Sequence, residues 1–142
     1  MKIAIASDHG GFELKEQLLE HYRSDHWLDL GTYSKDSVDY PDYAQKMANA
    51  VRKGEADLGI LVCGTGIGIS IAANRCKGIR AALLYSIEAA RLAKEHNNAN
   101  VLVFGGRTMA FNDVVSRIDT FLAASYEGGR HQTRLDKIET VE

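Results

Sequence analysis

The sequence predicts an α/β fold, a three-layer arrangement in which helices cover both faces of a five-stranded parallel sheet. Short apolar runs alternate along the chain with helical patterns of ten or more residues, which is typical of repeated strand–helix–strand units. The apolar runs do not alternate strictly between apolar and polar residues, as expected of strands buried on both faces. In open parallel sheets, ligands bind beyond the carboxyl ends of the strands.

The first half of the chain supplies three predicted strands and two predicted helices. Apolar residues recur at near-helical spacing in the first helix. The second helix has Pro41 in its first turn and Gly54 just after its end, two positions that these residues favour. The predicted strands are 2–7, 27–31 and 57–62, and the predicted helices are 12–22 and 41–53.

The second half continues the same alternation. Ser86 is a good N-cap for the helix that follows the fourth strand, and the two glycines after Glu127 end the long amphipathic helix before them. The predicted strands are 80–85 and 101–104, and the predicted helices are 69–75, 86–96, 111–126 and a tail helix at about 130–141. At this length, residues 1–142 are expected to form one domain.

Composition excludes several functional classes. The net charge of −2 gives no general electrostatic attraction to nucleic acid or to an anionic membrane. No apolar run is long enough for a membrane helix, and the N-terminus lacks the pattern of a signal peptide, so we expect a cytoplasmic protein. The two cysteines are too few for a disulfide scaffold, and no paired C-x-x-C pattern suggests zinc.

The stretch Cys63–Ser70 carries the strongest chemical signal, because three glycines alternate in it between an apolar run and a helical segment. Glycines let backbone amides approach a ligand closely, and the amides of a helix's first turn attract anions. Cys63 enters that field, which favours its thiolate form, and Thr65 adds a hydroxyl. The spacing matches neither a dinucleotide fingerprint nor a phosphate loop. The plainer interpretation is a tight turn with a buried, inert cysteine.

Other reactive side chains also fall at predicted strand or helix ends. Asp8 and His9 follow the first strand and could act as an acid–base pair, or Asp8 could cap the next helix. Tyr40 could lie over a substrate or pack its loop. His96 is a candidate acid or base or a helix-dipole partner, and Asn97 is a candidate ligand or a C-cap.

Arginines form a third group of candidates. Arg130 and Arg134 lie four residues apart, and on a helix an anion between them would offset their repulsion. A solvated basic face is the alternative. Arg107 follows the fifth strand, and Cys76 is expected to be structural. A thiolate base, an anion hole, a histidine, a carboxylate and several arginines together favour proton transfer on a small phosphorylated molecule.

The chain also resembles type B ribose-5-phosphate isomerases and the related galactose-6-phosphate isomerase subunits over essentially its full length. The resemblance is carried by five ordered motifs: Ser7–Gly11, Asp39–Ala44, Cys63–Asn74, Glu95–Leu102 and Tyr126–His131. It implies a Rossmann-like sheet and a cofactor-free, metal-free isomerase that interconverts ribose 5-phosphate and ribulose 5-phosphate.

The resemblance also implies a role for each candidate residue. Cys63 is the base, and Asp8 and His96 open the sugar ring in roles that could be exchanged. The other implied roles are enediolate stabilisation by Thr65 and the amides of Gly64, Gly66, Ile67 and Gly68, sugar positioning by Tyr40 and Asn97, and phosphate binding by His9, Arg107, Arg130 and Arg134. Some relatives use a glutamate where this chain has Ile69, so this chain resembles the cysteine type.

The resemblance further implies a homodimer, or a dimer of dimers, with active sites shared between chains. In this arrangement His96, Asn97, Arg107 and the tail arginines face the partner's Cys63 loop, and the tail helix contributes to the dimer. Two alternatives remain open: a six-carbon substrate such as allose or galactose 6-phosphate, and a non-catalytic phosphate-binding module.

Overall fold

Five parallel strands form a single sheet, which confirms the predicted fold class. The structure, a computed structural model, describes residues 1–23 and 26–142. The sheet order is β2-β1-β3-β5-β4, and every pair of neighbours is parallel. The strands are β1 Ile3–Ser7, β2 Leu28–Asp29, β3 Leu58–Cys63, β4 Ala81–Leu83 and β5 Val101–Gly105.

Six helices complete the described part of the chain. They are α1 Phe12–His21, α2 Tyr40–Arg52, α3 Ile67–Asn74, α4 Ile87–Glu95, α5 Phe111–Ala123 and α6 Arg130–Ile138. Among the helices that residues 1–23 and 26–142 form, none combines the length and apolar character needed to cross a membrane.

Two hydrophobic cores lie on opposite faces of the sheet, as the three-layer prediction requires. Successive strand residues alternate between them: Ile5 of β1 joins one core, whereas Ala4 and Ala6 join the other, because side chains alternate across a strand. Helices α1, α4 and α5 contribute buried residues to the first core, and α2 and α3 contribute to the second.

Several element boundaries differ from those predicted. Strand β2 is an edge strand of two residues, Leu28 and Asp29, and backbone hydrogen bonds to β1 continue past it through Leu30, Gly31 and Thr32. Helix α5 ends at Ala123, because Ala124 is in an extended conformation. Helix α3 begins at Ile67, two residues earlier than predicted, directly after Gly66. The prediction that Ser86 caps α4 is confirmed, since its Oγ accepts a hydrogen bond from the Ala89 N–H at 3.0 Å.

Candidate active site

Cys63 is the last residue of β3, the central strand of the sheet. Its neighbour in register on β5 is Gly105, and the preceding Val62 pairs with Ser7 of β1. The chain continues from β1 to β2 on one side and places β3 on the other, so the sheet order reverses between β1 and β3. A crevice at the carboxyl ends of the strands is expected at such a reversal. Asp8, the Cys63 loop and Gly106–Arg107 therefore gather at the carboxyl ends of the strands.

The glycine loop turns back toward the thiol. The Gly66 N–H donates a hydrogen bond to Cys63 Sγ at 3.2 Å, and Cys63 is only 5% exposed. Gly66 has φ of 81°, and a Cβ there would lie 2.6 Å from Leu83 Cδ1 and 3.0 Å from the Phe104 carbonyl oxygen. Glycine is therefore required at position 66 for both conformation and space, and the loop holds an amide dipole against the sulfur.

Thr65 and α3 extend this polar surface. Thr65 is exposed, and its Oγ1 accepts a hydrogen bond from the Ile67 N–H at 3.2 Å. Because a hydroxyl can accept and donate at the same time, the Thr65 O–H remains able to donate to a bound group. The first turn of α3 carries no acidic residue, so its amide dipoles face outward without a nearby carboxylate of their own helix.

Asp8 is buried beside this loop. It is 7% exposed, and its Oδ1 accepts a hydrogen bond from the Gly11 N–H at 3.1 Å. Its own N–H donates to the Val62 carbonyl at 3.2 Å, which ties the end of β1 to β3. Asp8 thus stabilises the turn before α1 but does not cap the helix, because Gly11 is the N-cap residue of α1 and no side chain bonds the first turn there.

His9 and Tyr40 lie near the same end of the sheet. The Val38 N–H donates to His9 Nδ1 at 3.2 Å, so in the neutral ring Nε2 carries the proton and can donate to a ligand. Tyr40, the first residue of α2, is 39% exposed and lies against Gly68 at the start of α3.

Arg107 lies with this first group, beside the glycine loop of its own chain. Its N–H donates to the Gly64 carbonyl at 2.9 Å. A Cβ added to Gly64 would lie 3.2 Å from Arg107 Nη1, and one added to Gly10 would lie 3.3 Å from Arg107 Cζ. The backbone bond that follows β5 therefore brings the guanidinium across the glycine loop of its own chain.

His96 and Asn97 lie at the amino ends of the strands, opposite Cys63. They follow α4, which returns the chain to the start of β5 at Val101, and the strands of a parallel sheet all begin at the same end. With about 3.3 Å per residue, the five-residue β5 spans roughly 15 Å between the amino ends and the carboxyl ends, where Cys63 lies. Arg80 fixes the His96 turn by donating to the Asn97 carbonyl at 3.2 Å and to the Asn98 carbonyl at 2.8 Å.

The C-terminal helix joins His96 to form a second group. The His96 and His131 rings are stacked, with centroids 4.2 Å apart. A cavity of about 190 Å³ is lined here by His96, Asn97, His131 and Arg134, among others. Arg130, the first residue of α6, is exposed. Arg134 follows it by one helical turn, so the helical spacing expected for this pair is confirmed.

Two residues of this second group were not selected from the sequence as site residues. Glu127 Oε1 lies 3.8 Å from His96 Nε2 and 3.4 Å from His131 Nε2. The four-residue spacing of Glu127 and His131 is a weak signal on its own, and the contact of both with His96 depends on the tertiary fold. The chain thus carries two clusters of residues. The Cys63 group, which includes Asp8 and Arg107, lies at the carboxyl ends of the strands, and the His96 group, which includes Arg134, lies at their amino ends.

Comparison with known proteins identifies the chemistry that this fold supports. Residues 3–138 match the family model described as Ribose/Galactose Isomerase. The chain is 47% identical over 143 residues to ribose-5-phosphate isomerase B of Escherichia coli (strain K12), an alignment that covers 99% of this chain and 96% of that protein.

Solved structures agree with this match. A ribose 5-phosphate isomerase from Thermotoga maritima superposes with a TM-score of 0.96 at 53% identity, covering 99% of this chain and 98% of the other. Ribose-5-phosphate isomerase B from Mycoplasma genitalium, solved with bound ribulose-5-phosphate, gives a TM-score of 0.91 at 46% identity and covers 98% and 94%. The protein is therefore an α/β enzyme of the isomerase class. It belongs to the Ribose/Galactose Isomerase family.

Proposed function

We propose that this chain interconverts ribose 5-phosphate and ribulose 5-phosphate through an enediolate, with Cys63 as the base. The observation that carries the proposal is the hydrogen bond from the Gly66 N–H to Cys63 Sγ at the end of the central strand. This donor fixes the position of the sulfur at the start of the glycine loop. The similarity to ribose-5-phosphate isomerase B of E. coli and to that of M. genitalium, solved with bound ribulose-5-phosphate, supports the choice of substrate.

The proposed step moves one proton between adjacent carbons. The Cys63 thiolate removes the proton from C2 of the open-chain aldose, which leaves an enediolate. The thiol then returns that proton to C1 while the hydroxyl proton moves from O2 to O1, so the reaction is balanced without an external oxidant. The Thr65 O–H, together with the amides of Gly64 and Gly68, would stabilise the developing negative charge on oxygen. The Gly66 and Ile67 amides, which bond Cys63 Sγ and Thr65 Oγ1 in the structure, would have to turn from those partners to join them.

Ring opening precedes that step and is assigned to Asp8 and His96. Proton transfer to and from the ring oxygen and the anomeric hydroxyl needs an acid and a base, and the two residues could exchange these roles. Tyr40 and Asn97 would position sugar hydroxyls. The buried position of Asp8, with one oxygen held by Gly11, supports a carboxylate whose orientation is fixed before the substrate binds.

Phosphate binding is assigned to His9, Arg107, Arg130 and Arg134. His9 presents Nε2–H because Nδ1 accepts from Val38. Arginine suits phosphate because its planar fork of N–H donors matches the oxygens. The two tail arginines lie one helical turn apart on α6, so a single phosphate could contact both.

A complete site then requires two chains, because the Cys63 group and the His96 group lie at opposite ends of the strands of one sheet. We infer a homodimer, or a dimer of dimers, in which the His96 group of one chain faces the Cys63 group of its partner. Exposed apolar residues beside the glycine loop support this inference, since Ile67 and Ile71 of α3 are 55% and 56% exposed, and such side chains mark interfaces when they cluster. Helix α6 would contribute to the dimer, and residues 1–142 would act as one cytoplasmic domain.

A six-carbon sugar phosphate is the second candidate substrate, because the family description names galactose as well as ribose. Both sugars offer the same C1–C2 chemistry and the same terminal phosphate. A non-catalytic phosphate-binding module is the remaining alternative. It predicts that the thiol is dispensable.

The test is turnover of ribose 5-phosphate and allose 6-phosphate, measured in EDTA, for the wild type, Cys63→Ala and Cys76→Ala. Cys76 is a matched control, because it is a partly buried thiol whose Sγ lies 3.8 Å from the Ala72 carbonyl near the end of α3. We expect ribose turnover to fall by about 10³-fold or more in Cys63→Ala only, with substrate binding retained. A preference for the six-carbon sugar would change the substrate, and an active Cys63→Ala would refute the thiol base.

A further inference from the structure

His96, Glu127 and His131 bring three metal-ligand groups together. Their candidate ligand atoms all lie within 4.8 Å of one another. The Glu127 carboxylate approaches both imidazoles, at 3.4 Å from His131 Nε2 and 3.8 Å from His96 Nε2. Adjacent ligands of a tetrahedral zinc ion are roughly 3.3 Å apart, as follows from Zn–N and Zn–O bonds of about 2.0–2.2 Å. The Glu127–His131 pair is close to that spacing, and the Glu127–His96 pair is slightly wider.

His131 supplies an independent observation. It is 6% exposed, and its buried Nε2 forms no hydrogen bond within the described residues. The 3.4 Å approach of Glu127 is within ion-pair distance but lacks the geometry of a hydrogen bond. A buried polar atom without a hydrogen bond is costly. A metal ion placed between His131 and Glu127 would remove that cost.

We propose that His96, Glu127 and His131 form a binding site for a divalent transition-metal ion of the zinc type, and that occupancy of the site inhibits the enzyme. Neutral imidazole and carboxylate are the ligands that such ions prefer. The inhibition rests on the proposed function, because a metal ion on His96 removes the imidazole assigned to ring opening. Metal binding itself does not depend on that assignment.

The surroundings of the cluster allow an ion to enter. His96 and Glu127 are 36% and 48% exposed, and the adjoining cavity of about 190 Å³ opens beside both histidines. Arg134 lines the same cavity, and its charge opposes a cation, whereas the Glu127 carboxylate offsets it. The stacked imidazoles are inclined by only 17°, so both rings must rotate apart before their nitrogens can bind one ion.

The experiment measures Zn²⁺ binding to the full chain by calorimetry and isomerase turnover as Zn²⁺ is added. The variants are Glu127→Gln, whose side chain is exposed, and His131→Gln, with His21→Gln as a control imidazole on the surface of α1. Thermal unfolding in EDTA checks that each variant is folded. We expect Zn²⁺ affinity to fall at least about tenfold in both cluster variants, since even indirect metal partners are worth about 10- to 100-fold, and to stay unchanged in His21→Gln.

Cobalt provides a second readout that separates this site from the thiols. Co²⁺ bound by the cluster should give visible d–d bands without a thiolate charge-transfer band, and Glu127→Gln should weaken them. Equal Zn²⁺ affinity in all variants, or cobalt spectra dominated by a thiolate that Cys63→Ala removes, would overturn the site. Zn²⁺ bound at the cluster with wild-type turnover unchanged would overturn the inhibition and, with it, the ring-opening role of His96.

Discussion

The ring of Tyr40 lies across the backbone of Gly68. A Cβ added to Gly68 would lie 2.7 Å from Tyr40 Cζ and 2.9 Å from its Oη. Tyr40 is the first residue of α2, and Gly68 belongs to the first turn of α3. Two separate helices therefore meet beside the loop that carries the thiol, and the phenol hydroxyl lies against the first turn of α3.

This contact predicts that Gly68→Ala displaces the phenol. The methyl group needs the space of the Tyr40 ring, so either the ring or the start of α3 must move. We expect kcat/KM to fall by about 10- to 100-fold, the loss associated with a displacement of about 1 Å at a catalytic site, with a small change in thermal stability. Steady-state kinetics on ribose 5-phosphate measures it. In a Tyr40→Ala background the same substitution should cost little, and an equal loss there would contradict the steric argument.

Gly66→Ala should reduce stability as well as activity. The substitution adds strain at φ of 81° and a contact of 2.6 Å with Leu83 Cδ1. We expect a loss of about 2–4 kcal/mol in the free energy of unfolding, measured by urea denaturation. Gly54→Ala is the matched control, because its φ is 75° but a Cβ there meets no described atom within 4 Å. It should cost about 1 kcal/mol, and equal losses would contradict the role assigned to packing around Gly66.

Two inactive variants should restore activity when mixed. Cys63→Ala inactivates the Cys63 group of its chain, and His96→Ala inactivates the His96 group of its chain. In a symmetric dimer, each heterodimer therefore carries one intact site. Random exchange makes half of the dimers heterodimers, and we expect about a quarter of wild-type turnover after the chains are unfolded and refolded together. A mixture of Cys63→Ala with Thr65→Ala, both in the Cys63 group, is the control and should stay inactive. Activity restored in that control would refute sites divided between chains.

Arg80→Lys tests how the turn that carries His96 and Asn97 is held in place. The Arg80 guanidinium bonds the carbonyls of Asn97 and Asn98 together, whereas an ammonium group has no planar fork to bridge them. We expect kcat/KM to fall about tenfold, equivalent to roughly 1.4 kcal/mol, because His96 and Asn97 lose their fixed orientation. Arg52→Lys is the control, since Arg52 Nη1 bonds the Lys77 carbonyl at 3.4 Å away from either group. A similar loss in both variants would point to a general effect of arginine replacement.

The parallel sheet and the position of Cys63 could be predicted from local patterns. Apolar strands, a glycine loop and a good N-cap at Ser86 each act over a few residues, and the carboxyl ends of parallel strands lie on the same side of the sheet. The start of α3 was misplaced by two residues. Gly66 adopts a left-handed conformation and packs against Leu83 and Phe104, which are distant in sequence.

The His96 group was harder to predict, because its geometry depends on packing between elements that are distant in sequence. His96 follows α4, and His131 lies on α6, and only the tertiary fold stacks them. The place of Arg107 beside its own glycine loop was not predicted, for the same reason. Its backbone bond to Gly64 brings the side chain over its own loop, and nothing in the residues around position 107 signals that contact.

The separation of the two groups across β5 has a thermodynamic consequence under the proposed function. A substrate held by both groups contacts two chains at once, so it binds the assembled protein and not the isolated chain. By mass action, such a ligand must strengthen subunit association as much as association strengthens its own binding. Very dilute enzyme should therefore lose specific activity and regain it as the concentration of ribose 5-phosphate rises, a behaviour that mimics cooperativity without any change in the shape of a single chain.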